Sequence, residues 1–122
     1  MSTRQTILIV DHERNIRKAL ARELKPNYDL LLAEDGLEAV RVYESHQEQI
    51  ATILIDLGLP LLDGRAVADW VHHICPGLPI IVMSRTAEKA VKELPESEVV
   101  SFVRKPFRLS AVKKLLRETL GR

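Results

Sequence analysis

The sequence predicts an α/β fold in which a five-stranded parallel sheet is doubly wound, with helices on both of its faces. Five short apolar runs alternate with segments of helical periodicity, and the connections between them are short. The runs are continuous rather than alternating, which is typical of strands buried on both faces. A chain of 122 residues with 46% hydrophobic content fits one core, so we expect residues 1–122 to form a single domain.

The strands are predicted from apolar, β-branched runs. They cover residues 6–10, 28–33, 51–57, 79–83 and 99–103. Each run is followed by a turn residue or by a segment whose apolar positions have helical spacing.

Five helices are predicted from that spacing. The apolar positions are Ile16, Ala19, Leu20 and Leu24 in the first; Leu37, Val40 and Tyr43 in the second, which ends near His46; Val67, Ala68, Val71 and Ile74 in the third, over 64–74; and Val112, Leu115, Leu116 and Leu120 in the last. A short fourth helix is predicted over 86–94, and Ser110 is predicted to cap the last helix.

Composition narrows the function classes. The net charge of +1, from 18 basic and 17 acidic residues, gives no electrostatic basis for direct nucleic-acid binding by this domain. No stretch is long and apolar enough to predict a membrane span, and the start of the sequence does not read as a signal peptide. A single cysteine, Cys75, cannot form an internal disulfide, so we expect a cytoplasmic protein that does not contact a membrane.

Four predicted strands end in a polar residue. Asp11, Asp56, Ser84 and Lys105 follow the first, third, fourth and fifth apolar runs. The carboxyl ends of parallel strands share one edge of the sheet, where ligands and chemistry gather in open α/β folds. We therefore expect these four side chains to form one site.

The chemistry of these four side chains suits phosphoryl transfer. Two neighbouring carboxylates repel each other unless a cation lies between them, and Mg²⁺ prefers such oxygen ligands. A lysine and a serine hydroxyl supply a positive charge and a donor for phosphate oxygens. Metal, ammonium and hydroxyl around one carboxylate indicate transfer of a phosphoryl group onto that carboxylate.

The chain resembles the receiver domain of the response-regulator family, the CheY-like phosphoacceptor of two-component signalling. The matching motifs are ILIVD, IDLGLPLLDG, IIVMS and FVRKPF, and they span essentially the whole chain. The resemblance implies the flavodoxin-like strand order 2-1-3-4-5. It also implies a phosphoacceptor switch with Mg²⁺ as cofactor, which catalyses its own phosphorylation and dephosphorylation without being a conventional enzyme.

The resemblance also implies a role for individual residues. Asp56 is the phosphoacceptor, assisted by Lys105 and Ser84. Asp11, Asp56 and the backbone carbonyl of Gly58 bind the metal. Ser84 and Phe102 are the switch residues, and the peptide bond before Pro106 is cis.

His12 departs from the family pattern, because the family usually carries a second, metal-binding acid at this position. One interpretation is that water replaces the missing ligand, which weakens Mg²⁺ binding. A second is that Glu13 partly substitutes for the acid as a ligand. A third is that phosphorylation is lost and only the fold is kept. Imidazole suits softer metals, but two carboxylates and one histidine without further organisation argue against a zinc site. A fourth interpretation has His12 pointing to solvent.

Arg85 is the second departure, because the family usually has a small residue after the switch serine. Its side chain either folds over the site and pairs with Asp56 or its phosphate, or extends into solvent. Arg85 and the adjacent Thr86 are assigned to control of access. The third departure is the stretch 88–100, where Pro95 predicts a short or shifted fourth helix.

The sequence leaves three functions open. The first is a switch phosphorylated by a sensor histidine kinase, which changes the surface of the fourth helix, fifth strand and fifth helix. Its output passes to a C-terminal effector domain or a separate target, with a homodimer through the same surface as an option. The second is a pseudo-receiver that acts as a constitutive interaction or dimerisation module. The third is a flavodoxin-like ligand binder, against which the absence of a Gly-rich phosphate loop argues.

Overall fold

A computed structural model of the chain describes residues 4–85 and 100–121. Its elements are β1 (Thr6–Val10), α1 (Arg14–Leu24), β2 (Asp29–Ala33), α2 (Gly36–His46), β3 (Ile50–Asp56), α3 (Gly64–Ile74), β4 (Ile80–Ser84), β5 (Val100–Arg104) and α4 (Leu109–Leu120). The α4 of the structure is the fifth helix of the sequence prediction. The predicted fourth helix over 86–94 lies outside the described residues.

The five strands form one parallel sheet in the order β2-β1-β3-β4-β5. This order confirms the predicted fold. β1 and β3 are the neighbours at which the order reverses, so the loops after them flank the crevice where ligands bind in open sheets.

The sheet separates two apolar cores because successive side chains of a strand point to opposite faces. Ile53 and Ile55 of β3 join the core under α2 and α3, whereas Leu54 joins the core under α1 and α4. The continuous apolar runs therefore serve two cores at once, and the strand ends have a fixed place between the two helix layers.

Two aspartates set where the helices on one face begin. Asp35 accepts a hydrogen bond from the Glu38 N–H at 2.8 Å, and Asp63 accepts one from the Arg65 N–H at 2.7 Å. These bonds satisfy amide groups that have no partner within the helix. Asp63 thereby fixes the start of α3, the helix that follows the loop after Asp56.

The prediction that Ser110 caps the last helix is wrong. Helical geometry begins at Leu109, the N-cap is Arg108, and the cap makes no side-chain hydrogen bond. Leu109 packs against the core under α1 and α4, together with Phe107. Burial of these apolar side chains accounts for a helix that begins before its best capping residue.

Two residues of the predicted apolar helix faces are not covered by the core. Leu37 and Ile74 are each 45% exposed, although their spacing places them with the apolar residues of α2 and α3. Ala39 and Tyr43 make the buried contacts of α2, and Val67, Ala68 and Val71 those of α3. Periodicity identifies the apolar face of a helix but not how much of that face the sheet covers.

Backbone contacts hold the loop between β3 and α3 on both sides. A Cβ atom at Gly36 would lie 2.0 Å from the carbonyl oxygen of Leu62, and one at Gly64 would lie 2.0 Å from the carbonyl oxygen of Asp56. Within the loop, Leu61 has a φ of 68°, which is uncommon for a residue with a side chain. The loop after Asp56 is thus packed against α2 and α3 through main-chain atoms.

Candidate functional site

The four polar residues that end the strands meet at one edge of the sheet, as the sequence predicts. Asp11, Asp56, Ser84 and Lys105 are all buried, with exposures between 0% and 5%. They border or underlie a cavity of about 300 Å³ that His12, Glu13, Leu57, Gly58, Asp63, Arg65 and Arg85 also line. Buried charges require partners, and these residues supply them to one another.

Lys105 forms ion pairs with both buried aspartates. Its Nζ atom lies 2.7 Å from Asp11 Oδ2 and 3.2 Å from Asp56 Oδ2. Burial disfavours the ammonium, but the two carboxylates outweigh this effect and raise the pKa of Lys105. We call Asp11, Asp56 and Lys105 the buried ion cluster.

The two carboxylate oxygens of Asp56 have different surroundings. Oδ1 accepts a hydrogen bond from the Gly58 N–H at 3.1 Å. Oδ2 lies 3.2 Å from both Lys105 Nζ and His12 Nδ1. A backbone amide therefore holds Oδ1 in place, whereas Oδ2 faces the ammonium of Lys105 and the imidazole of His12.

His12 turns towards the site, so the interpretation in which it points to solvent is wrong. Its ring contacts Asp56 although its side chain is 44% exposed. The short segment between β1 and α1 favours this orientation, because Asp11 is anchored next to it. The three remaining interpretations of His12, all of which concern the metal site, stay predictions.

Glu13 and Arg85 form an ion pair across the mouth of the site. Arg85 Nη2 donates to Glu13 Oε1 at 2.9 Å and to Oε2 at 3.1 Å. The partner of Arg85 is therefore Glu13 rather than Asp56 or solvent alone, and its predicted pairing with a phosphate on Asp56 stays a prediction. A carboxylate on the facing loop offers a closer partner than the buried Asp56. We call this pair the rim bridge.

The rim bridge changes the acidity of its carboxylate. The hydrogen bond from Arg85 is the largest cause that lowers the pKa of Glu13, with a smaller contribution from the charge of Lys105. Glu13 Oε1 lies 3.5 Å from Lys105 Nζ, so this carboxylate also reaches the buried ion cluster. Glu13 therefore connects the exposed rim to the buried lysine.

Arg17 has a positioning role that the sequence did not reveal. Its Nη1 donates to the backbone carbonyl of Asp11 at 2.7 Å, and its Nη2 lies 3.8 Å from Glu34. Asp11 Oδ1 accepts a bond from the Glu13 N–H at 2.8 Å, which fixes the same loop. The available signal was a basic residue beside the apolar face of α1, but that pattern is typical of most surface helices.

Three side chains of the site could hold a metal ion. One donor atom each from Asp11, His12 and Asp56 lies within 4.8 Å of the others, and the buried Asp11 Oδ2 has Lys105 Nζ at 2.7 Å. Within 4–85 and 100–121, the other such group is Glu34, Asp35 and Glu38 at the start of α2. Glu13 belongs to neither group, so the structure gives no support for its predicted substitution as a ligand.

The remaining predicted site residues surround the buried ion cluster. Ser84 is buried at the end of β4, and its carbonyl accepts a bond from the Lys105 N–H at 2.9 Å. The Lys105–Pro106 peptide bond is cis, as predicted. Phe102 is half-buried against the core under α2 and α3. Thr86 lies outside the part of the chain that the structure describes.

Comparison with known proteins defines the class to which this fold and site belong. The model of the response regulator receiver domain matches residues 7–117. The chain therefore belongs to the response regulator receiver family, the receiver domains of two-component systems. Proteins of this family generally bind Mg²⁺ at the acidic site and act with histidine kinases and effectors.

Among curated relatives, the response regulator MprA of Mycobacterium ulcerans is 33% identical over 120 residues, which cover 95% of this chain and 50% of MprA. The MprA of Mycobacterium avium is 32% identical over 120 residues, and this match covers 95% of this chain and 51% of that MprA. The chain thus spans about half the length of these relatives.

Solved structures show the same fold. The chemotaxis protein CheY4 of Vibrio cholerae superposes with a TM-score of 0.87 at 22% identity, covering 97% of this chain and all of that one. A two-component transcriptional regulator AraC from Clostridium phytofermentans gives 0.84 at 26% identity, covering 96% of this chain and 93% of that one. Within the described residues, no helix combines the length and apolar character that crossing a bilayer requires.

Proposed function

We propose that this chain is a phosphoacceptor switch in which Asp56 accepts a phosphoryl group from a sensor histidine kinase. The observation that carries the proposal is the position of Asp56 Oδ2, which borders a cavity and lies 3.2 Å from the buried ammonium of Lys105. In the transfer, the P–N bond of the kinase phosphohistidine breaks and a P–O bond to Asp56 forms. Positioning and charge neutralisation supply most of the catalysis in such a transfer.

Each residue of the buried ion cluster has a part in this proposal. Lys105 binds a phosphoryl oxygen, and Ser84 donates to another. Asp11, Asp56 and the carbonyl of Gly58 hold Mg²⁺, which when bound neutralises charge on the phosphoryl group. The domain promotes formation and hydrolysis of its own aspartyl phosphate, and it does not turn over a separate substrate as a conventional enzyme does.

The output of the switch passes through the face that carries β5 and α4. Movement of Ser84 towards the phosphoryl group and rotation of Phe102 would change this face. Its partner is an effector domain that follows in a longer chain, a separate target protein, or a second copy of this domain. Light scattering before and after phosphorylation distinguishes the second copy from the other two.

Intact mass after incubation with acetyl phosphate, with and without Mg²⁺, tests the proposal. We expect a Mg²⁺-dependent gain of one phosphoryl group that is lost in Asp56→Asn. Asp63→Asn is the matched control, because Asp63 lines the same cavity and asparagine also caps helices. A gain that persists in Asp56→Asn would assign the phosphoryl group to another residue.

A second candidate function is a pseudo-receiver, a constitutive interaction or dimerisation module. It is favoured by the imidazole of His12, which contacts Asp56 where the family carries an acid. Absence of any mass gain at all Mg²⁺ concentrations, together with an oligomeric state that acetyl phosphate does not change, would support this candidate over the switch.

A further inference from the structure

His12 places a nitrogen donor among the oxygen donors of the metal site. The Nδ1 atom of its ring lies 3.2 Å from Asp56 Oδ2. Two ligands at adjacent octahedral positions, each about 2.1 Å from a metal, lie about 3 Å apart. The separation of these two atoms therefore already suits two ligands of one ion.

We propose that His12 shifts the preference of this site from Mg²⁺ towards a divalent first-row transition ion, with the imidazole as a direct ligand. The inference deepens the proposed function, because it concerns the metal of the same site. It stands on the donor set alone and does not require that Asp56 be phosphorylated.

The charge of the site disfavours Mg²⁺. Asp11, Glu13 and Asp56 supply three negative charges, and Lys105 and Arg85 supply two positive ones. With a neutral His12 the site carries one net negative charge, whereas an acid at position 12 would give it two. The affinity of hard cations depends on the charge of their ligands, so the histidine weakens Mg²⁺ binding.

The imidazole is also a softer donor than a carboxylate. Carboxylate, carbonyl and water suit Mg²⁺, whereas imidazole suits first-row transition ions. The fully buried carboxylate of Asp11 adds an oxygen donor to the same group as the imidazole. The site thus loses a ligand for Mg²⁺ but gains one for an ion such as Co²⁺.

Calorimetric titration with Mg²⁺ and Co²⁺ measures this preference as the dissociation constant for Mg²⁺ divided by that for Co²⁺. Oxygen sites also bind Co²⁺ more tightly than Mg²⁺, so the ratio must be compared with that of a variant. His12→Asp restores an acid, and we expect it to tighten Mg²⁺ and lower the ratio. His12→Ala removes the nitrogen, and we expect at least about a tenfold loss of Co²⁺ affinity, since loss of even an outer-shell partner costs about 10–100-fold.

Matched controls locate the ion. His73→Ala removes an exposed histidine from α3, and Glu38→Gln weakens the other group of potential ligands at α2. We expect both variants to keep the ratio of the parent. The visible absorption of bound Co²⁺ should change in His12→Ala and not in His73→Ala, because the spectrum responds to the ligands of the ion.

Two outcomes overturn the inference. An equal ratio for the parent, His12→Asp and His12→Ala would show that the imidazole does not bind the ion, and loss of Co²⁺ binding in Glu38→Gln would place it at α2. Should His12→Ala fail to fold, His12→Asn gives the same comparison. An unchanged metal preference would leave the mass test of Asp56 phosphorylation unaffected, so the two proposals can fail separately.

Discussion

The buried ion cluster and the rim bridge lie in the same site but differ in how they are held. Lys105 is 3% exposed and its carboxylate partners come from the ends of two other strands. Arg85 has 61% of its side chain exposed, and its partner Glu13 lies on a loop. Buried ion pairs are costly to break, whereas exposed pairs contribute little. We therefore expect the cluster to hold the site together, and we predict that the rim limits how easily the site is reached.

Lys105→Met tests the buried ion cluster most directly. The substitution leaves the carboxylates of Asp11 and Asp56 buried without their ammonium, so we expect the free energy of unfolding to fall by about 3–5 kcal/mol at neutral pH. Urea unfolding measures the change. Lys114→Met is the control: its exposed pair with Glu118, at 4.0 Å, contributes about 0.3–0.5 kcal/mol. Equal losses in the two variants would contradict the distinction.

Comparing the parent with Lys105→Met also tests the raised pKa of Lys105. Because folding raises this pKa, the stabilisation by the ammonium is complete below the ordinary lysine value of about 10.4 and is lost as the pH rises through the higher, folded-state value. Above neutral pH, we expect the difference in stability between the parent and Lys105→Met to narrow only as the pH approaches the raised pKa of Lys105. A difference that already narrows between pH 7 and pH 9 would contradict the raised pKa.

Substitutions in the rim bridge should have smaller effects, which we expect on the rate of phosphorylation. Breaking this exposed bridge should speed phosphorylation by acetyl phosphate by no more than about fivefold, because exposed ion pairs are weak. Glu13→Gln and Arg85→Ala both break the bridge, but only the first keeps the cation. If access is what the bridge limits, both variants react faster in the mass assay. A faster Glu13→Gln with a slower Arg85→Ala would assign Arg85 to attraction of the anionic donor instead.

The smallest expected effect is the acidity of Glu13. The hydrogen bond from Arg85 is the main cause of its lowered pKa, so Arg85→Ala should move that pKa up towards the ordinary glutamate value. Carbon-detected NMR titration of the carboxyl group measures this. Since the folded-state pKa is lowered, the stabilisation exists above the unfolded value and is lost as the pH falls through the folded one. An unchanged pKa would show that Lys105 is the dominant partner.

The same difference between cluster and rim explains what the sequence could predict. The ends of apolar runs identified Asp11, Asp56, Ser84 and Lys105, because topology alone brings the carboxyl ends of parallel strands together. No pattern identified the bridge between Glu13 and Arg85. Long side chains on loops take their partners from local geometry that periodicity does not describe.

The helices show the same limit. The bounds of α3 agree with the prediction over 64–74, because Asp63 caps it and Pro76 follows it. The exposure of Leu37 and Ile74 could not be predicted, since it depends on how each helix lies against the sheet. The start of α4 likewise follows the packing of Leu109 rather than the capping preference of Ser110.

The close backbone contacts at Gly36 and Gly64 bear on which sequences this fold can accept. A side chain at either position would collide with a carbonyl oxygen 2.0 Å from its Cβ atom. Main-chain atoms cannot yield as a flexible side chain does, so both positions are closed to the other amino acids. The loop that carries Pro60 lies between them. Its exposed positions, such as Leu61, accept other side chains, whereas Leu59 is buried in the core and Asp63 caps α3. An insertion or deletion in this loop would displace Asp56 or α2.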